Sequence, residues 1–478
     1  MPYLRKVLFF LLTIILSFAF IFKFSNQTSS QTLTNAERSA SCTFYKWFDP
    51  NTNEKEGKVL LKNCSSCHMA YYNEWINDKH SMSQNNPFFL SVYKQFKQDH
   101  PDQNGNCALC HNPEAVLSDR DAPLGRLYDI DLREIKLKKT NGISCDVCHK
   151  IKSVDQNPLK QGIAGLNIIR TCKGEKDIRF GPLKDPLQVS DKEELKYNSL
   201  FKTSLSCAKC HDGSNGNVQI YSTFTEWLNS PAAKKGVQCQ SCHMAPRKET
   251  GKGGDREGKS EIVDNPNIKH KQRPYYEVHS HHFLTKDPSG FRKKYVNLKV
   301  KTPHWGVSTS KQTLQLEVVV ENNNFGHSFP TGSPMRNVIL LVEVKDKNGN
   351  DLKLIKGSRL PNHAGDLRNK PGKLFAKILA ETNSEYAAHH GQAGIIFRKI
   401  ANELGIPAQD WWNVFVLSDT RIKANESDVS IYEFELPRNI GKIYLTATLH
   451  WRNTWPGLAK VKGFKLKEDL LIKRHLEI

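Results

Sequence analysis

Hydrophobic and polar positions divide the chain into stretches of different rhythm. Residues 1–24 open Met-Pro-Tyr-Leu-Arg-Lys and continue as an apolar run over 7–22. A basic start before about 16 apolar residues describes a secretory leader. Lys23, Phe24 and Ser25 follow it in place of a small-x-small cleavage site. Residues 1–24 therefore read as a signal peptide or, if retained, a signal anchor, although the run is short for a span of ~20 residues. Residues 25–40 are rich in Ser, Thr, Asn and Gln and read as a flexible spacer.

From residue 291 the rhythm is of the β type, with runs at 296–300, 314–321, 338–344, 431–436 and 443–450. Several alternate apolar and polar residues, as half-buried strands do. Asp346-Lys-Asn-Gly349 is a hairpin signal. Many strands with turns between them predict a β-sandwich over 291–478. The insert 374–410 reads as partly helical, with its helix over 387–404. Residues 41–290 show no such runs. Short helical pieces alternate there with breakers such as Asn104-Gly105-Asn106 and Asp212-Gly213-Ser214. The expected fold is α plus β in separate domains: a mostly α, loop-rich domain over 41–290, then the sandwich.

The cysteines change this picture. Ten of the 12 fall into five copies of Cys-x-x-Cys-His. The copies are Cys64/Cys67/His68, Cys107/Cys110/His111, Cys145/Cys148/His149, Cys207/Cys210/His211 and Cys239/Cys242/His243. This is the attachment pattern of a c-type haem. Each thiol adds to one porphyrin vinyl group, two intervening residues give the reach, and the next histidine supplies the proximal nitrogen to iron. Structural zinc takes Cys/His ligands in sets of four, into which five Cys2His units do not partition. Redox dithiols do not need the histidine. Five covalent haems over 41–290 leave too few residues for a protein core around each, so the porphyrins must supply much of the apolar interior. Cys42 and Cys172 remain, and in an oxidising compartment they are read as a disulfide.

Composition adds two constraints. The formal charge is +20, from 69 Lys and Arg against 49 Asp and Glu. Five haems would bring this to roughly +15 when oxidised. The lysines are scattered, so a solvated surface accounts for them as well as docking to an acidic redox partner or an anionic membrane does. Nothing beyond charge points to nucleic acid. Thirteen of the 18 histidines lie outside the motifs, more than five irons need as second axial ligands. The candidates are His80, His100, the cluster His279, His281 and His282, and His327.

Several stretches carry a family resemblance. Tyr72-Asn-Glu-Trp75 with Asp78-Lys-His80-Ser81 resembles the first-haem signature of exported multihaem cytochromes c, the group of the tetrahaem electron carrier, hydroxylamine oxidoreductase and the octahaem reductases. Gly142-Ile-Ser-Cys-Asp-Val-Cys-His-Lys150 is similar to their central haem site. Thr225-Glu-Trp227, Ser230 and Gly236-Val-Gln-Cys-Gln-Ser-Cys-His-Met244 resemble a late one, and His279-Ser-His-His282 a distal-ligand segment. Gly326-His-Ser-Phe-Pro-Thr-Gly332 with Arg336 resembles the entry to the sandwich in a sub-group of these proteins. The resemblance implies a periplasmic or otherwise extracytoplasmic protein, anchored to the inner membrane if the leader stays on. All five motifs end in histidine, unlike the lysine-ligated active haem of pentahaem nitrite reductase. The expectation is a pentahaem electron carrier with mainly bis-histidine haems and redox proteins as partners. The alternative is an oxidoreductase acting on a small nitrogen or sulfur compound at one open haem.

Overall fold

The computed structural model describes residues 64, 68–99, 107–113, 142–169, 176–188, 191, 193–215, 218–245, 259–260, 273–274, 278–283, 287–301, 303–308, 311–323, 325–381, 414–438 and 441–478. The leader, the spacer, Cys42, Cys67, His100, Cys172 and the helix expected over 387–404 lie outside them.

Before residue 288 the described elements are short. Helices α1 (Met69–Ile76), α2 (Pro87–Asp99), α3 (Ala108–His111), α4 (Cys145–His149), α5 (Leu205–His211), α6 (Thr223–Leu228), α7 (Pro231–Lys234) and α8 (Cys239–His243) carry or flank the motifs. Each motif helix stops at its histidine or just before the next residue. In α4 the Ser144 hydroxyl accepts from the Val147 amide at 3.3 Å, a side-chain cap that fixes where the turn begins. Around the fifth motif Gln238 and Ser241 form a reciprocal capping box.

The region expected to be mostly α mixes helices with strands. Eight short strands lie among these helices: β1 (Ile151–Val154), β2 (Leu166–Ile168), β3 (Asp177–Gly181), β4 (Glu193–Tyr197), β5 (Asp212–Asn215), β6 (Val218–Ser222), β7 (Lys259–Ser260) and β8 (Arg273–Pro274). They pair as β1–β2, β3–β4, β5–β6 and β7–β8. Pieces of two to five residues are too short to show alternation, so the sequence rhythm does not reveal them.

Helix α9 (Pro288–Tyr295), capped by Asp287 with Pro288 in its first turn, leads into the sheets. One sheet orders β10 (His304–Ser308), β11 (Lys311–Asn322), β16 (Ser427–Glu435) and β13 (Leu354–Lys356), with β9 (Val296–Val300) also on β11. The other orders β15 (Val414–Asp419), β14 (Gly372–Glu381), β12 (Asn337–Lys345), β17 (Tyr444–Arg452) and β18 (Glu468–Glu477). Leu314, Leu316, Val318 and Val320 of β11 meet Val338, Leu340, Val342 and Val344 of β12 in one buried cluster between the sheets. The intervening positions of β12, Ile339 and Leu341, are also buried, in a second cluster with Trp455 and Leu458. Leu458 belongs to α10 (Pro456–Lys462), and Phe88 and Val92 of α2 pack onto the same cluster. β12 is thus covered on both faces, which is why it is a continuous apolar run.

The same cause overturns the reading of 374–410 as partly helical at its start. Residues 374–380 lie in β14 and are buried throughout. Phe375 faces the inter-sheet cluster, while Leu374, Ala376 and Ile378 face the second one. A strand buried on both faces loses the alternation that marks it.

Candidate haem sites

Among the described residues the motif cysteines are half-buried, as are the imidazoles of His68, His111, His149 and His243, while His211 is exposed. The histidines are oriented by backbone carbonyls. His111 Nδ1 donates to Ser83 O at 3.0 Å, His149 Nδ1 to Phe180 O at 2.8 Å and His243 Nδ1 to Phe283 O at 2.8 Å. A carbonyl oxygen only accepts, so Nδ1 carries the proton and Nε2 keeps its lone pair. That is the arrangement a ligating histidine needs.

The distal candidates follow the same rule. His80 Nδ1 donates to the carboxylate of buried Asp78 at 2.8 Å, and His327 Nδ1 to Ser328 O at 3.0 Å. His281 Nδ1 donates to His279 O at 3.2 Å, and His279 Nδ1 to Met244 O at 2.5 Å.

The rings then come together in pairs. His80 and His211 have centroids 6.1 Å apart and planes crossed at 66°. His149 and His281 lie 6.3 Å apart at 20°, and His243 and His327 lie 6.3 Å apart at 19°. A metal–imidazole bond is about 2.0 Å, and the ring radius on each side sets two imidazoles sharing one metal roughly 6 Å apart between centroids. Three of the five motifs therefore face a second histidine across a metal-sized separation. Thiol pair, proximal imidazole and opposed imidazole together form the donor set of a six-coordinate haem c.

The other motifs differ. His111 is stacked on Phe89 at 4.2 Å with planes 2° apart. His68 lies edge-on to Tyr71 at 6.1 Å, and Tyr71 in turn to His281 at 4.7 Å. The amide of His282 donates to Ser280 Oγ, and its ring is not in any of the three pairs. His100 lies outside the described residues.

Five of these imidazoles are pushed toward the neutral form. Burial pushes His111, His149 and His243 below the usual histidine value. Desolvation takes His211 down to about 3, with His80, His243 and Arg336 adding to the effect. His327 falls to about 4 for the same main reason. A neutral imidazole is the ligating form.

Sulfur contacts show which sites are neighbours. Cys64 of the first motif hydrogen-bonds Cys145 of the third. Cys110 of the second meets Cys210 of the fourth, and Cys207 of the fourth meets Cys239 of the fifth. The charge of Cys210 of the fourth motif acts on Cys148 of the third, and that of Cys148 on Cys207. The fourth site therefore borders the second, third and fifth, and the first borders the third.

Sequence reasoning missed the strut that holds His327 in place. Glu226 of α6 accepts from Ser222 Oγ at 2.8 Å, Thr331 Oγ1 at 2.6 Å and the Ser328 amide at 3.2 Å, and pairs with Arg421 at 2.6 Å. Arg421 also pairs with Asp419 of β15 at 2.8 Å. One carboxylate before the fifth motif thus ties the His327 loop to a sheet. The only signal for it was its place in Thr225-Glu-Trp227.

A family model described as cytochrome c554 and c-prime matches residues 63–150 and 182–244, which contain all five motifs. No curated protein sequence matches the chain. Among solved structures, a penta-heme cytochrome c552 from Thermochromatium tepidum matches with a TM-score of 0.55 and 18% identity, covering 88% of this chain and 98% of that one. At that identity the likeness concerns the fold, and it extends over motif helices and sheets alike. A family 123 glycoside hydrolase from Clostridium perfringens matches at a TM-score of 0.13 and 10% identity, covering 38% of this chain and 26% of that one. Among the described residues no helix is long and apolar enough to cross a membrane. The family-model match and the shared fold support a multihaem c-type cytochrome with covalently bound haem c, a kind of protein that is typically extracytoplasmic.

Proposed function

We propose that the chain is a pentahaem cytochrome of the sub-group with a C-terminal β-sandwich, and that it carries electrons between redox proteins outside the cytoplasm. Cys64 and Cys67, Cys107 and Cys110, Cys145 and Cys148, Cys207 and Cys210, and Cys239 and Cys242 hold the haems. His68, His111, His149, His211 and His243 are the proximal ligands, and His80, His281 and His327 complete the fourth, third and fifth sites. When bound, each haem supplies a one-electron iron couple. The chain's own residues favour the neutral form of His111, His149, His211, His243 and His327, fix the tautomers of His80, His111, His149, His243, His281 and His327 through Nδ1, and place a histidine on both sides at three sites. The adjacency of the sites, more than their order in sequence, decides which exchange electrons directly.

The three opposed histidine pairs carry this reading. An iron closed on both faces cannot take a substrate without losing a ligand. The second site favours another reading, because among the described residues the His111 ring is paired with Phe89 and not with a histidine. An oxidoreductase of a small nitrogen or sulfur compound would work there.

One spectroscopic experiment separates the two. Low-temperature electron paramagnetic resonance of the oxidised protein should show two rhombic low-spin signals from the near-parallel pairs and one strongly anisotropic signal from the crossed pair. His327→Ala should abolish one of the rhombic signals. If it changes no low-spin signal, His327 is not a ligand and the assignment fails. Titrating the reduced protein with carbon monoxide should leave the Soret band unmoved. A shift in one haem of five, with turnover of nitrite, hydroxylamine or tetrathionate, would establish the enzyme instead.

A further inference from the structure

Arg336 precedes β12, at the end of the loop that carries His327. Its Nη1 donates to the Thr331 carbonyl at 3.0 Å. A Cβ added at Gly332 would stand 2.8 Å from that same nitrogen, so the guanidinium is folded tightly against the loop. Gly332 has φ +80°, in the left-handed region that glycine adopts without strain. The same thread joins the haem-bearing helices, since Thr331 Oγ1 is 3.0 Å from Thr223 Oγ1 of α6.

Arg336 is half-buried, and desolvation takes its guanidinium down to about 10, with the charge of Arg292 adding to the effect. Among the described residues no carboxylate pairs with Arg336. Two acids of this region are engaged with other arginines: Glu226, which holds the same loop, with Arg421, and Asp469 with Arg292 at 3.0 Å. A cation enclosed with a neutral carbonyl as its partner is costly to keep without an anion. Its planar fork matches a carboxylate with two parallel hydrogen bonds.

Its position points to the source of that anion. Thr331, which Arg336 holds, meets Thr223 of α6, and Ser222 just before it pairs with Asp212, the residue after His211; the same loop carries His327, so Arg336 lies where the fourth and fifth sites meet. We infer that Arg336 is a cofactor-binding residue that takes a propionate carboxylate of one of the two haems meeting at this junction. The inference rests on the haem reading above. Arg336 lies among sheet residues, far in sequence from every attachment motif. It makes the sheet region part of the haem-binding surface in a second way, beside His327.

The test uses the exported full-length protein as Arg336→Gln and Arg336→Lys, beside the unchanged chain. Haem is counted by mass, and a redox titration is followed by electron paramagnetic resonance. A positive charge beside iron favours the reduced state, so Arg336→Gln should lower one midpoint potential and leave the other sites in place. The crossed-pair signal identifies the fourth site and a rhombic signal the fifth. The resonance Raman propionate bending band should shift in the same variant. Arg336→Lys keeps the charge and should recover most of the change in potential. Unmoved potentials in Arg336→Gln, or an equal shift in both variants, would overturn the proposal. A lowered potential with an unchanged bending band would also overturn it, since only a through-space charge would remain. If Arg336→Gln fails to retain its haems, Arg336→Lys decides: near-native potentials support the contact and displaced ones refute it. Fewer than five haems in the unchanged chain would fail the haem reading and not this one.

Discussion

The sheet region and the haem-motif region solve the problem of an interior in opposite ways. Between the sheets, Leu298, Leu314, Leu340, Val342, Tyr432, Phe434 and Leu449 are almost wholly buried in one large cluster drawn from eight strands and their loops. Before residue 288 the apolar clusters are small. One gathers Tyr93, Ala108, Leu109, Ile163 and Ala164, and another Ile151, Val154 and Leu166. Thiols and imidazoles gather between these clusters. A chain that alternates apolar and polar residues can close on itself, because burial of about 25 cal/mol per Å² offsets the entropy of ordering. A chain of short turns and motif helices has too little such surface, and it needs a covalent group to complete its interior.

The largest test of this contrast is to withhold the haem. Made in cells lacking the attachment machinery, residues before about 288 should be digested by protease, while a fragment close to 291–478 survives. Limited proteolysis with mass spectrometry reads the outcome directly. Survival of both regions, or loss of both, would break the comparison.

A smaller effect sharpens it. Leu340 is fully buried between the sheets. Leu340→Ala should cost about 3 kcal/mol, the usual price of a large-to-small change in a packed core. Chemical denaturation followed by tryptophan fluorescence measures this. The visible haem spectrum of the folded variant should stay as it was, and a changed spectrum would mean that the regions share one core.

The smallest effect is electrostatic. Glu468 of β18 is held at about 2, below its usual 4.5, chiefly by the hydrogen bond to His450 and then by Arg452. A depressed carboxylate adds stability that is complete above pH 4.5 and is lost as the pH falls toward 2. The side chain is about a third exposed, so solvent screens it and roughly 1 kcal/mol is expected. Thermal melts across that window should show the loss, and Glu468→Gln should remove the pH dependence. An unchanged slope would show that other carboxylates control acid stability here.

The sequence disclosed the two regions unequally. Half-buried strands such as β11 and β16 announce themselves by alternation, and the Asp346–Gly349 turn marks its hairpin. β14 was hidden because both its faces are covered. The attachment cysteines and proximal histidines are legible because their spacing is fixed by covalent chemistry. The distal histidines are legible only as a list of candidates, because which motif each one faces is set by tertiary packing. His279, His281 and His282 look equivalent in sequence, yet His281 alone faces His149. Glu226 and Arg336 carry no local pattern at all. Their roles exist only once α6 and the loop at 326–332 have met.

The placement of His327 has a consequence for how the protein is made. The residue lies 84 positions after the histidine it faces, in a loop fixed by Glu226 and by a sheet whose last strand ends at Glu477. On the proposed ligation the fifth iron keeps one face bare until the loop of His327 and the sheet that fixes it have formed. Completion of that ligand then reports that the sheet region has emerged and folded. A chain truncated within the sheets would carry every haem and still show, by one uncapped iron, that its synthesis was cut short.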